Sequence, residues 1–236
     1  MAATDPDEEI VVLDAGGRYD RQRLMTWWDQ ELLASSRVLV VGAGALGNEV
    51  VKNLVLLGVG SILVVDMDVI EVSNLSRCAF FLPDDAGRPK AEVLAQRAMV
   101  VNPEVEVIGI VGRVQELGVG FATRATVIVG ALDNVEARVR LNELSWRSGT
   151  PWIDGAIGEL DGSVRLFDPP SNCFECTLDN VDYEAMAERR SCRLLGVEAP
   201  ETGAVPTSIT TASVIGGLQA QEAVKLIHRQ AGLLPE

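Results

Sequence analysis

The chain predicts an α/β fold, a doubly wound, mostly parallel sheet with an antiparallel extension, on three observations. Apolar, β-branched strand-like runs alternate with helix-period stretches from residue 38 to residue 147. A G-x-G-x-x-G string, Gly42-Ala43-Gly44-Ala45-Leu46-Gly47, lies at the junction of the first strand and first helix of that alternation. Near residue 158 the alternation ends, and an Asp-Gly turn joins two strands directly. Together these describe a Rossmann-like sheet that acquires an antiparallel edge.

Residues 1–17 begin acidic (DPDEE) and end Ala15-Gly16-Gly17, which reads as a flexible acidic arm ahead of one domain, 18–236. Residues 19–35 read as a helix opened by Arg18, Arg21 and Arg23. Cations in a first turn oppose the helix dipole, so they serve either an anion or partner, or a solvated basic patch. Residues 38–41 form a buried parallel strand and 47–57 a helix stopped by Gly58 and Gly60. Residues 61–65 form a second strand ending on Asp66, about 20 residues beyond the last glycine. Gly42, Gly44 and Gly47 let the chain turn and let a phosphate approach amides at a helix N-terminus, while Asp66 can accept hydrogen bonds from ribose hydroxyls. The unit therefore binds a nucleotide, whose identity these residues leave open.

Asp66 and Asp68 lead into a polar loop, 69–77, at the carboxyl edge of the sheet, which aims Asn74 and Arg77 at the nucleotide. Residues 84–88 form a turn, and Pro89 opens a helix to about Val101. Lys90 lies in the wrong turn for the dipole, a conflict that a phosphate would resolve. Strands follow at 105–111 and 126–129, with a short helix, 118–124, between them. The second strand runs into Leu132-Asp133-Asn134, where a helix over 135–147 begins. Asp133 and Asn134 are either a helix cap or a ligand set in which Asp133 holds Mg²⁺ against a triphosphate. Residues 151–157 and 164–167 are strands joined through 158–162. Cys173-Phe174-Glu175-Cys176 comes next, then a polar stretch to Pro200, and residues 204–228 close the fold largely as one helix.

Composition narrows the function. A formal charge of −14 argues against a protein that grips nucleic acid, and the most apolar region, 50–65, contains Lys52 and Asn53 and falls short of a membrane span. With an acidic N-terminus the chain reads as cytoplasmic. A single histidine, His228, nearly excludes histidine triads and multi-histidine metal sites, and four cysteines do not make a disulfide framework in 236 residues.

Seven strings in order, RYDRQ (18–22), VGAGALG (41–47), DMDVIEVSNLSR (66–77), GRPKAE (87–92), ALDN (131–134), CFEC (173–176) and QAQEAVKL (219–226), resemble the ubiquitin-activating superfamily, which includes the sulfur-carrier adenylyltransferases. The resemblance implies that the C-terminal glycine carboxylate of a carrier protein ending in Gly-Gly attacks the α-phosphate of ATP. By that resemblance Asp66 holds the ribose, the glycine loop and Asn74 line the phosphates, Arg77 and Lys90 neutralise them, and Asp133 coordinates Mg²⁺. Arg21 reaches a neighbouring subunit's ATP site, which implies a homodimer or a pseudo-symmetric heterodimer.

The chain departs from the family at Cys78, where a glutamine is common, and Cys78 reads as a small packed residue rather than a nucleophile. Cys173 and Cys176 have the spacing of half a Cys₄ zinc (Zn²⁺) site, and no second C-x-x-C follows before Glu236, so either the numbered chain lacks a C-terminal segment, or zinc has been abandoned, or the remaining ligands come from elsewhere. Cys192, in a crossover segment (177–205), stands among Arg189, Arg190 and Arg193, which would lower its thiol pKa. By the resemblance Cys192 accepts the activated carboxylate as a thioester, or forms a persulfide linkage in sulfur transfer; otherwise it is an inert loop cysteine or a third zinc ligand. The expected partners are a ubiquitin-like or sulfur-carrier protein, followed by a conjugating enzyme or a sulfurtransferase. The rivals are a nicotinamide-dependent dehydrogenase, a non-catalytic scaffold subunit, and an enzyme adenylylating tRNA-linked carboxylates.

Overall fold

A computed structural model describes residues 16–180, 183 and 207–229. It contains a six-stranded sheet in the order β3-β2-β1-β4-β5-β6. The strands are β1 (Arg37–Val41), β2 (Ser61–Asp66), β3 (Glu106–Val111), β4 (Val127–Gly130), β5 (Trp152–Ile157) and β6 (Gly162–Phe167). All neighbouring pairs are parallel except β5 with β6. The helices are α1 (Asp20–Arg23), α2 (Gln30–Ser35), α3 (Ala45–Leu57), α4 (Lys90–Val101), α5 (Val119–Thr123), α6 (Val135–Ser148) and α7 (Ile209–Ile227).

The continuous apolar runs in the strands reflect burial on both faces. Val38, Val40, Ile62, Val64, Val127, Val129 and Ile153 pack with residues of α3, α4 and α7 in one core. Leu39, Val41, Ile128 and Trp152 point the other way, into a second core with Ala122, Leu141 and Leu144 from α5 and α6. Period-two alternation thus divides each strand between two helical layers. Because the chain leaves β1 toward β2 on one side and returns to β4 on the other, the strand order reverses beside β1. A crevice outside the carboxyl ends is expected at such a switch point.

Two differences from the sequence reading have local causes. Residues 19–35 are two helices, because Asp29 caps α2 by accepting from the amides of Glu31 and Leu32, each at 3.0 Å. The intervening Trp27 and Trp28 pack on His228, with ring centroids 5.3 Å from it. The loop after β2 contains a 3₁₀ turn, Val72–Ser76, closed by a capping box between Glu71 and Asn74. Most of the acidic arm, 1–15, and nearly all of the crossover segment lie outside the described residues.

The return from that loop to α4 hangs on Asp85, which is 1% exposed. Its carboxylate accepts from the Leu82 amide at 2.9 Å, from Arg88 at 2.6 Å and from Arg97 at 2.8 Å. Burial disfavours its charge, but the Leu82 amide, Arg97 and Arg88 outweigh burial and hold the carboxyl below the usual carboxylate range. A depressed carboxylate contributes stability that is present above its unfolded pKa and lost as pH falls through the folded value. Asp85→Asn is therefore expected to lower stability at pH 7 by about 2 kcal/mol. Thermal melts from pH 7 to pH 3 should show the variant losing less than the wild type below about pH 4; parallel curves would refute the assignment.

Candidate active site

At the end of β1 the chain turns through Gly42, whose φ of +106° is a conformation that L side chains rarely adopt. A Cβ on Gly42 would lie 2.2 Å from the Ala131 carbonyl oxygen, and one on Gly47 would lie 2.0 Å from the Gly42 carbonyl oxygen. These two glycines are required by the chain itself. A Cβ on Gly44, the N-cap of α3, would meet nothing within 4 Å. Gly44 thus opens the N-terminus of α3 outward, where amides of a first turn have no intrahelical acceptor. Asn48 fixes this loop by donating to the Ala43 carbonyl at 2.9 Å and the Gly44 carbonyl at 3.0 Å, while accepting from the Phe80 amide at 3.1 Å.

Asp66 latches the same loop from β2. One carboxylate oxygen accepts from the Ala43 amide at 2.6 Å, the other from the Asp68 amide at 2.7 Å. Burial raises its pKa, and the Ala43 and Asp68 amides and the Lys90 charge oppose the rise. Lys90 donates to Asp68 at 3.0 Å. The carboxylate of Asp68, part of the chain itself, therefore already offsets the dipole conflict that pointed to a phosphate. Asn74 also departs from its expected aim: it is buried and accepts from the Glu71 amide at 3.0 Å. The half-buried Arg77 donates to the Ser73 carbonyl at 2.7 Å. Burial pushes the Cys78 thiol up to about 11, against the opposing charges of Arg77 and Lys90. Cys78 is thus the packed residue expected, and Arg77, Lys90 and Asp66 all lie near enough to bias it.

Across β1, the turn after β4 separates two roles that the sequence left merged. Asn134 caps α6, accepting from the Ala137 amide at 2.8 Å, and donates to Asp133 at 3.0 Å. Asp133 is exposed, and among the described residues no lysine or arginine pairs with it. Its remaining oxygen lone pairs are open to a cation, which suits Mg²⁺: that ion takes one or two carboxylates and completes its shell with phosphate and water. Ala131 backs onto Gly42, which sets this turn beside the glycine loop.

Behind the turn stands a group that sequence reasoning missed. Arg138 donates to the Leu132 carbonyl at 2.6 Å, the Gly155 carbonyl at 3.2 Å and the Asp154 carboxylate at 2.9 Å, and Arg165 reaches the other Asp154 oxygen at 3.2 Å. An acid closing the buried run WID was the available signal.

Arg21 is exposed on α1, whose N-cap Tyr19 lies against Gly58 at the C-terminal end of α3, the end opposite the glycine loop. Cys173 accepts from Asn142 at 3.4 Å. Burial acts to raise the Cys173 thiol, but Asn142 and the hydrogen bonds from Cys176 bring it below its ordinary value, while the bond to Cys173 raises Cys176. Among the described residues no three His, Cys, Asp or Glu side chains gather to hold a metal, so the two thiols stand without further zinc ligands there. Cys192 and its arginines lie outside the described residues. Among the described residues, no helix is long and apolar enough to cross a membrane.

Residues 19–234 match the ThiF family. The chain is 36% identical over 220 residues to the SAMP-activating enzyme E1 of Haloferax volcanii, covering 89% of this chain and 75% of that protein. It is 32% identical over 217 residues to the sulfur carrier protein ThiS adenylyltransferase of Escherichia coli K12, covering 89% and 80%. The crystal structure of E. coli MccB with ATP superposes with a TM-score of 0.72 at 24% identity, over 93% of this chain and 66% of that one, a likeness of fold. With nearly the whole sequence matched and the same Rossmann-like sheet in place, the chain belongs to the ThiF family.

Proposed function

We propose that this protein adenylylates the C-terminal glycine of a ubiquitin-like carrier protein with ATP and Mg²⁺. The observation that carries the reading is the outward-open Gly44 at the N-terminus of α3, on the same sheet edge as Asp66, Lys90, Arg77 and Asp133. That set offers amides and cations to phosphates, a carboxylate to a ribose and another to a metal. The relatives named as a SAMP-activating enzyme and a ThiS adenylyltransferase support the carrier as the second substrate.

In this reading the carrier carboxylate oxygen bonds to the α-phosphorus as the bond to the β-phosphate oxygen breaks and pyrophosphate leaves. The protein has little covalent chemistry to perform, so its residues position and neutralise. Lys90, steadied by Asp68, and Arg77 face the phosphates. Asp133 would hold Mg²⁺, which would neutralise charge on the departing pyrophosphate. Arg21 completes the site across a homodimer interface. The Cys192 thiolate then attacks the glycine acyl carbon of the adenylate, forming a thioester bound for a conjugating enzyme as the acyl–phosphate oxygen bond breaks and AMP leaves. A sulfur-carrier role, with a sulfurtransferase as acceptor, shares every step up to the adenylate and is equally supported by the ThiS relative.

The test is ATP–pyrophosphate exchange with purified carriers ending in Gly-Gly. Exchange is expected only with carrier present, to fall at least about 10-fold in Arg21→Ala, and to persist in Cys192→Ala. Exchange without any carrier, or none with every Gly-Gly carrier tried, would overturn the reading.

A further inference from the structure

Arg138 is the fourth residue of α6, and its side chain folds back over the turn from which the helix starts. A guanidinium there opposes the helix dipole, and it is largely buried, 13% exposed. Asp154, its counter-ion, has a side chain that is 0% exposed. Burying such a pair is weak evidence for stability, since desolvation can exceed the attraction. What the pair supplies is geometry. The planar fork joins three acceptors on two elements: the carbonyl of Leu132 in the turn, and the carboxylate of Asp154 and carbonyl of Gly155 in β5. Arg165 fixes the second oxygen of Asp154 and is itself held over the rings of Phe167 and Phe174, 5.7 and 5.3 Å from their centroids. On the opposite face of the sheet Gln219, 0% exposed, donates to the carbonyls of Gly130 at 2.8 Å and Ile153 at 3.2 Å. The carboxyl end of β4 and the stretch of β5 paired beside it are thus clamped from both layers, just where the Asp133 turn departs.

We propose that Arg138, anchored by Asp154, is the positioning residue that holds the residue 132–134 turn in the shape Asp133 needs to bind Mg²⁺ with the nucleotide. Lysine cannot replace it, because one ammonium cannot keep the Leu132 carbonyl and both β5 acceptors in a fixed plane. The inference rests on the function proposed above, and the two fail in different ways.

The experiment is calorimetric titration of the full chain with a non-hydrolysable ATP analogue, with and without Mg²⁺, alongside thermal melts. The wild type should bind the analogue more tightly with Mg²⁺. Arg138→Lys and Arg138→Met should each lose roughly 10-fold of that Mg²⁺ enhancement, with Mg²⁺-free affinity held. In an Asp133→Ala background the same substitutions should cause no further loss, because the path through Asp133 is already gone. Lowered melting temperature with an unchanged Mg²⁺ enhancement would make Arg138 purely structural and overturn the inference. Full additivity with Asp133→Ala would overturn it too. Should Arg138→Met not fold, Arg138→Lys, which keeps a cation beside Asp154, decides. A wild type that binds no ATP analogue would overturn the reading of the site and this inference with it.

Discussion

Asp133→Ala is expected to melt within about 2 °C of the wild type and to exchange pyrophosphate roughly 10³-fold more slowly. The two halves of that expectation have separate grounds. Asp133 is exposed, accepts one side-chain hydrogen bond from Asn134 and takes no part in capping α6, so its removal strands no buried charge. Its loss should instead be felt where negative charge accumulates between the phosphates. Without a carboxylate to share the metal, the developing charge on the leaving pyrophosphate lacks its neutralising partner. Mg²⁺-free nucleotide affinity should hold or improve, since a negative charge has left the phosphate side of the crevice. Exchange near the wild-type rate would remove Asp133 from the chemistry. A melting loss as large as that of Asp85→Asn would show a structural role instead.

The second large effect separates two glycines of one loop. Gly47→Ala must push its methyl into the Gly42 carbonyl, 2.0 Å away, and Gly42 cannot yield, being packed on Ala131 in a left-handed conformation. A cost of about 1–3 kcal/mol follows from overpacking alone, or a fall of roughly 4–10 °C in Tm. Gly44→Ala meets open space, and its φ of −72° suits any L residue, so its Tm should stay within about 1 °C. The added methyl would stand where a phosphate must approach, and affinity for ATP should fall at least about 10-fold. Melts and ATP titration on both variants make the comparison. Equal melting losses, or wild-type ATP affinity in Gly44→Ala, would contradict the division of labour.

Much of the fold was legible because it is written in local period and punctuation. The runs at Val38 and Ile62, the glycines between them and the Asp-Gly turn placed β1, α3, β2 and the β5–β6 hairpin within a few residues of their observed ends. What was misread depended on partners distant in sequence or on side chains folding back on their own loop. Asp29 divides residues 19–35 by capping α2, and the Trp27–Trp28 link is held by His228, 200 residues away in the chain. Asn74 closes its own turn instead of facing outward. The Lys90–Asp68 pair was not foreseen because its carboxylate belongs to another element. Arg138 and Asp154 escaped notice because neither lies in a spaced motif, and only the parallel pairing of β4 with β5 brings them together.

Helix α7 has a kinetic consequence. It lies against α3, with Gly216 close to Glu49, and its Gln219 secures β4 and β5, so the last described helix covers a face made by the first third of the chain. Joining segments so far apart exacts its loop-closure entropy before any burial rewards it. Until residue 227 has emerged from the ribosome, the apolar side of α3 and the carbonyls of Gly130 and Ile153 lack their cover. The nascent chain must therefore wait as an unfinished sheet, with a sticky surface in need of protection, and it closes only once α7 has been made.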